Sequence, residues 1–223
     1  MRVVAEDKNL PPLNDFAIDD GLIINDLVSF IRRSGDRPLF VVAYFNALHD
    51  PYQAQSILPI PSDLKERRAK ASFILEEVHR RLFNALREMD RFDDSFVIIT
   101  GDHGLNLGPS ISRLTHIDRV ALKPVFLLKP SQGMTEERAR ALLTNKDRLI
   151  ANIDIAPTIA ELVGARPLDL DYAGVSLLTE VPSERFVFAI NTPEWRRWPE
   201  ESLAVIKGGI SLHVVGSCSV FLI

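Results

Sequence analysis

The sequence predicts an α/β fold with a mainly parallel sheet, helices on its faces and an antiparallel margin near the C-terminus. Short apolar runs at 38–45, 96–101 and 124–128 are typical of strands buried on both faces, as parallel sheets require. Segments with apolar residues three or four positions apart alternate with these runs, which favours helices between strands. Near the C-terminus, apolar runs at about 203–215 meet at Lys207-Gly208-Gly209 and predict a strand pair.

The first helix is predicted after an irregular lead-in at 1–18. Asp19 or Asp20 is a suitable N-cap, apolar residues follow at helical spacing, and Ser34-Gly35 ends the segment. The apolar positions are Ile23, Ile24, Leu27, Val28 and Ile31. The strand at 38–45 follows this helix.

A longer helix is predicted from Ser62 or Asp63 to about Met89, with Glu66 placed to complete a capping box. Its apolar residues fall on one face, with charged residues on the others. Two further helices are predicted at about 135–143 and 154–163, the second closed by a glycine.

Composition narrows the function classes. The 223 residues are 46% hydrophobic and 25% charged, which is ordinary globular composition, and the net charge is −4. No dense basic run with interleaved aromatic residues is present, so we expect no nucleic-acid partner. Cys218 is the only cysteine, so an internal disulfide is excluded. No apolar window is long enough for a transmembrane segment, and no targeting signal is visible.

The junction with the most information on function is Asp102-His103-Gly104, directly after the run at 96–101. Neighbouring residues of an extended strand point to opposite faces, so the Asp and His side chains converge on one cation only where the backbone turns. Gly101 and Gly104 permit such a turn. In open α/β sheets, ligands bind beyond the carboxyl ends of the strands. The alternative is an Asp that caps a turn beside a solvated His.

Four segments, in order along residues 36–178, carry a common pattern. They are Asn46-Ala47-Leu48-His49-Asp50-Pro51-Tyr52, Thr100-Gly101-Asp102-His103-Gly104, His116 with Lys123-Pro124-Val125-Phe126-Leu127, and Asn152-Ile153-Asp154-Ile155-Ala156-Pro157-Thr158-Ile159 continuing to Gly174-Val175-Ser176-Leu177. Together they resemble the sulfatase-like branch of the alkaline phosphatase superfamily. The resemblance implies that 19–223 is a partial α/β domain of that type.

The resemblance also implies a site and its cofactor. Asp102 and His103 would be metal ligands, and His49 would contact the non-bridging oxygens of the substrate or assist the leaving group. His116 matches a further site histidine of phosphoethanolamine transferases. The cofactor would be a divalent cation, zinc, manganese or calcium. The substrate would be a small-molecule, lipid or glycan ester, and the compartment periplasmic, extracellular or membrane-associated.

One part of the family pattern is absent from the sequence, which contains no Cys/Ser-x-Pro-x-Arg nucleophile motif. We therefore expect an incomplete member of the family. Three functions stay open: a metal-dependent hydrolase of sulfuric or phosphoric esters, a phosphoethanolamine-type transferase fragment, and a catalytically silent remnant acting as a binding module. Whether the chain is itself an enzyme stays open with them.

Overall fold

The structure is a computed structural model that describes residues 12–14, 17–49, 52, 63–104, 120, 122–165, 172–191, 202–208, 210–215 and 219–222. The chain divides into two compact units, Met1–Asp94 and Ser95–Ile223. None of the described helices combines the length and the apolar character needed to cross a membrane.

The first unit contains a short antiparallel pair and two long helices. The pair, β1 (Pro12–Asn14) with β2 (Ala17–Ile18), lies within the predicted irregular lead-in. The helices are α1 (Asp20–Ser34) and α2 (Leu64–Glu88). Both were predicted from apolar periodicity, and each has a capped N-terminus.

The caps of these helices use short side chains, as expected. Asp19 accepts a hydrogen bond from the Gly21 N–H at 2.8 Å at the start of α1. Asp63 accepts from the Glu66 N–H at 2.8 Å at the start of α2. The residue after α1, Gly35, has a φ of 58°, a left-handed conformation that favours glycine.

The apolar faces of α1 and α2 form the core of the first unit. The buried apolar residues of the two helices are Ile24, Leu27, Ile31, Ala71, Ile74, Val78, Ala85 and Leu86. Polar contacts at the rim join the same helices, because Arg81 donates to the side-chain oxygen of Asn25 and Arg32 lies 3.7 Å from Glu88.

Residues 38–45 differ from the prediction, because they are not part of a strand. The side chains of Phe40, Val42 and Tyr44 are 57%, 74% and 64% exposed, so this run is not buried on both faces. An apolar run with β-branched residues has the side chains that suit a buried β-strand. It does not specify the partner strand, and ladder formation needs that partner.

The second unit begins with two strands. β3 (Val97–Thr100) pairs antiparallel with β4 (Phe126–Lys129), so that Thr100 lies opposite Phe126. Two helices follow, α3 (Glu136–Asn145) and α4 (Ile155–Leu162). A short 3-10 helix at Asn152–Asp154 leads directly into α4.

An antiparallel sheet forms the C-terminal part of this unit. Its strands, in spatial order, are β5 (Val187–Asn191), β6 (Ser202–Lys207), β7 (Ile210–Val215) and β8 (Ser219–Leu222). β6 and β7 are the predicted C-terminal strand pair, and β5 and β8 extend it.

The α/β class is confirmed, whereas the predicted parallel pairing is not found among the described strands. Every strand ladder among the described residues is antiparallel. Continuous apolar runs report burial and not strand direction, since a parallel pair also requires a crossover connection. The described part of the β3 to β4 connection contains no crossover helix.

A buried polar network fixes the segment 174–181 in the second unit. The Asn145 side-chain amide donates to the carbonyls of Leu177 at 3.0 Å and Thr179 at 2.8 Å, and its oxygen accepts from the Val181 N–H at 2.8 Å. The side-chain nitrogen and oxygen of Asn145 both have hydrogen-bond partners, as buried polar atoms require. These bonds hold the segment 174–181 in place.

Candidate functional site

Asp102 and His103 form a turn directly after β3, where the sequence places them. Their side chains are accessible, Asp102 at 81% and His103 at 41% exposure. The Asp102 Oδ1 atom accepts a hydrogen bond from the His103 backbone N–H at 3.0 Å. That bond holds the first carboxylate oxygen against the turn. Oδ2 of Asp102 lies 3.7 Å from Nε2 of His103.

One hydrogen bond of the His103 ring defines its tautomer. Nδ1 lies 2.8 Å from the carbonyl oxygen of Gly104, which can only accept a hydrogen bond. In the neutral ring the proton is therefore on Nδ1, and the lone pair is on Nε2, the ring nitrogen that lies 3.7 Å from Oδ2 of Asp102. A backbone carbonyl that orients a histidine in this way is a common arrangement in metal sites.

The donor atoms of Asp102 and His103 fit a divalent cation as two of its ligands. Metal–oxygen and metal–nitrogen bonds are each about 2.1 Å, and the sum exceeds the 3.7 Å between Oδ2 and Nε2, so that one cation can contact both atoms. Among the described residues, no group of three or more His, Cys, Asp and Glu side chains is placed to hold a metal. The pair is thus a partial donor set in the described part of the chain.

The glycines around the turn are needed because there is little room for a side chain, and not because of an unusual φ. Neither Gly101 nor Gly104 has a left-handed φ. A Cβ atom on Gly104 would lie 1.9 Å from the carbonyl oxygen of Val120 and 3.0 Å from that of Lys123. The turn therefore packs against the backbone of Val120 and Lys123, and only a glycine fits there.

Asn152 contacts the backbone immediately before the turn. Its Nδ2 donates to the carbonyl oxygen of Gly101 at 2.8 Å, and its Oδ1 accepts from the hydroxyl of Thr100 at 2.9 Å. The 3-10 helix that carries Asn152 is therefore joined to the end of β3 by two hydrogen bonds.

The 3-10 helix is itself held by a buried ion pair. Asp154 is fully buried and accepts from the backbone N–H groups of Ala151 at 2.8 Å and Val175 at 2.9 Å. Arg185 donates to both of its carboxylate oxygens, at 2.9 and 3.0 Å. A buried carboxylate with this many donors is compensated in charge and in hydrogen bonding.

His49 lies in the first unit, in a loop held by Asp20. The buried Asp20 carboxylate accepts from the N–H groups of Asn46 at 3.0 Å and Ala47 at 2.9 Å. Burial raises the pKa of Asp20 to about 6, against the opposing effect of these two hydrogen bonds. His49 is exposed, and its backbone N–H donates to the Asn46 carbonyl at 2.9 Å. The placement of His49 next to Asp102 remains a prediction.

His116 lies outside the described residues, so its predicted role stays a prediction. The described structure brings Asp102 and His103 together. It also identifies Asn152, Asp20 and Arg185, whose hydrogen bonds to Gly101, to the loop before His49 and to Asp154 were not predicted from the sequence. The sequence did contain a hint of the role of Asp20. Only one of the two adjacent aspartates can cap the helix, so the other is available for a different hydrogen-bond partner.

Comparison with known proteins supports the resemblance. The family model described as Sulfatase matches residues 4–165 of the chain. A crystal structure of Ps i-CgsB in complex with k-i-k-neocarrahexaose is similar over 93% of this chain and 48% of its own, with a TM-score of 0.71 and 16% sequence identity. A protein in the alkaline phosphatase superfamily from Vibrio parahaemolyticus is similar over 96% of this chain and 48% of its own, with a TM-score of 0.60 and 19% identity.

These similarities establish the fold. They also show how much of each solved structure this chain matches. The chain spans about half the length of the two solved structures, because only 48% of each is matched. The matched fold is the α/β fold of the alkaline phosphatase superfamily.

Proposed function

The chain belongs to the sulfatase family, and on this premise we propose that it supplies two metal ligands, Asp102 and His103, to a metal-dependent hydrolase of sulfuric or phosphoric esters. The observation that carries the proposal is the approach of Asp102 Oδ2 to His103 Nε2 at 3.7 Å, with the histidine oriented by the Gly104 carbonyl. An accessible oxygen and nitrogen held in one turn are suited to a divalent cation.

A bound divalent cation would lower the pKa of a nucleophile and offset the negative charge of the ester. The residues of this chain have separate tasks. Asp102 contributes the charged oxygen ligand, and the Gly104 carbonyl keeps the Nε2 lone pair of His103 available. His49 binds a non-bridging oxygen of the ester or donates a proton to the leaving group. His116 is proposed as a second site histidine.

The ligand types favour zinc or manganese over calcium. Zinc and manganese accept mixed oxygen and nitrogen ligands, whereas calcium prefers oxygen throughout. In a binding experiment on Asp102 and His103, calcium is therefore the ion expected to bind more weakly than zinc or manganese.

For the substrate we propose a small-molecule, lipid or glycan ester, with a glycan ester favoured. Support comes from the similar Ps i-CgsB structure, which is a complex with k-i-k-neocarrahexaose. A phosphoethanolamine-type transferase would use the same ligand pair but pass the group to an acceptor alcohol.

A second candidate function is a catalytically silent binding module. The observation that favours it is the absence of a Cys/Ser-x-Pro-x-Arg motif from the sequence. Without a nucleophile, a metal-binding turn would hold an ester without cleaving it. Metal binding is common to both candidates, and turnover separates them.

The experiment is an assay of the purified chain with aryl sulfate and aryl phosphate, in zinc, manganese, calcium or EDTA. The hydrolase proposal expects turnover that requires metal and is lost in Asp102→Ala. Asp147→Ala is the matched control, because Asp147 is an exposed aspartate of the same unit. Metal binding without turnover of either ester would favour the binding module.

A further inference from the structure

We infer that Asn152 is a positioning residue for the Asp102 and His103 turn, an inference that rests on the function proposed above. Asn152 and Gly101 are 51 residues apart in sequence, and their hydrogen bond is 2.8 Å long. No contact of Asn152 with substrate or metal is involved. Its effect passes through the backbone that leads into the turn.

The orientation of the Asn152 amide follows from its two partners. The Gly101 carbonyl can only accept, so Nδ2 must face it, at 2.8 Å. Oδ1 then faces the Thr100 hydroxyl, at 2.9 Å. The amide thus donates to Gly101 and accepts from Thr100, and a flipped amide would place its oxygen against the Gly101 carbonyl oxygen, where neither atom can donate.

The bond to the Gly101 carbonyl acts directly on Asp102. The carbonyl of Gly101 and the backbone nitrogen of Asp102 belong to one planar peptide group. Fixing the carbonyl oxygen therefore fixes the direction in which the chain enters the turn. The backbone direction at Asp102 in turn sets the distance between the Asp102 carboxylate and the His103 ring, which is 3.7 Å from Oδ2 to Nε2.

The hydroxyl of Thr100 cannot replace Asn152. Its single proton has three oxygen neighbours, Asn152 Oδ1 at 2.9 Å, the Val125 carbonyl at 3.0 Å and the Gly101 carbonyl at 3.2 Å. Loss of the amide frees the proton for either carbonyl, so the direction of the Gly101 carbonyl is no longer set by one partner.

Asn152 is rigid enough for this task because its helix is anchored two residues later. Asp154 is fully buried, and its carboxylate accepts from Ala151 N–H at 2.8 Å and from both nitrogens of Arg185. The 3-10 helix therefore connects the buried ion pair with the entrance of the accessible turn.

The test compares Asn152→Ala with Asn145→Ala. Asn145 is the matched control, because it too joins distant carbonyls, those of Leu177 and Thr179, but it makes no hydrogen bond to residues 101–104. The readouts are amide hydrogen exchange at residues 101–104 in metal-free protein, thermal stability, and zinc and manganese affinity by calorimetry.

Asn152→Ala is expected to speed exchange at residues 101–104 and to weaken metal affinity about tenfold or more, the usual loss for a supporting partner of a metal ligand. Asn145→Ala is expected to lower thermal stability while leaving both the exchange at 101–104 and the metal affinity unchanged. Thr100→Val, which keeps the Asn152 to Gly101 bond, is expected to give a smaller loss of affinity.

The outcomes separate this inference from the proposed function. Wild-type exchange and affinity in Asn152→Ala, together with lost binding in Asp102→Ala, would overturn the role of Asn152 and leave the metal site standing. If the wild-type chain binds no metal, the proposed function fails, whereas faster exchange at 101–104 in Asn152→Ala still supports its hold on the turn.

Discussion

Arg185 donates Nη1 to Oδ2 of Asp154 at 2.9 Å and Nη2 to Oδ1 at 3.0 Å, a two-point contact in which the carboxylate is fully buried and the arginine nearly so. Two backbone N–H groups complete the hydrogen bonding of the carboxylate. The pair joins the start of α4 to the segment before β5. It is the structural support of the 3-10 helix.

Replacing Arg185 by Met is expected to lower the free energy of unfolding by about 3–5 kcal/mol, because it leaves a buried carboxylate without its cation. Chemical denaturation would measure this change. The control is Arg80→Met, which removes the exposed pair of Arg80 with Glu77 and is expected to leave stability unchanged within error. Equal stability of Arg185→Met and the wild type would contradict the supporting role of the pair.

Gly174→Ala is expected to destabilise the second unit by about 3 kcal/mol or more, since the added methyl group overlaps backbone atoms. Its Cβ would lie 2.0 Å from the Ile153 carbonyl oxygen, next to the buried Asp154. Gly133→Ala is the control, because a Cβ there meets nothing within 4 Å. Thermal unfolding of the two variants would measure the difference. Similar midpoints would contradict the close approach of Gly174 to the Ile153 carbonyl.

Gly104→Ala is expected to weaken zinc affinity at least about tenfold, roughly 1.4 kcal/mol. The added Cβ would lie 1.9 Å from the Val120 carbonyl, so the turn must shift and separate the two donor atoms. Calorimetric titration would measure the change, again with Gly133→Ala as control. Undiminished affinity in Gly104→Ala would mean that the turn need not keep this shape to bind metal.

Asp20 is expected to make stability depend on pH between about 4 and 6. Burial raises its folded pKa from 3.8 to about 6, so in this range the folded protein keeps a proton that the unfolded chain releases. The free energy of unfolding contributed by Asp20 therefore falls as pH rises through this window and stays low above it.

Asp20→Asn removes that titration, so its stability is expected to change less steeply from pH 4 to pH 6 than that of the wild type. Denaturation at several pH values would measure the difference. Asp147→Asn, at an exposed aspartate, controls for the loss of a carboxylate. A pH dependence identical in the wild type and Asp20→Asn would rule out the titration of this group in the window.

The features that sequence analysis predicted are governed by local chemistry. α1 and α2 are fixed by their caps, Asp19 and Asp63, and by apolar residues at helical spacing. The Asp102 and His103 turn was predicted for a similar reason, since two ligand types follow an apolar run between glycines.

The features that sequence analysis missed depend on residues far apart in the chain. Residues 38–45 have the composition of a strand, but strand pairing requires a partner that the run itself does not encode. The antiparallel pairing of β3 with β4 is likewise invisible in each run alone. The bond from Asn152 to Gly101 joins residues 51 positions apart, and no spacing rule predicts it.

The most direct test of the metal site is isothermal titration of the purified chain with zinc, manganese and calcium. With Asp102, His103 and the proposed site residue His116 as the available donors, we predict zinc or manganese binding no tighter than micromolar, about −8 kcal/mol. Binding should be lost in Asp102→Ala and retained in Asp147→Ala. Absence of binding, or binding that survives Asp102→Ala unchanged, would contradict the assignment of this turn as a metal site.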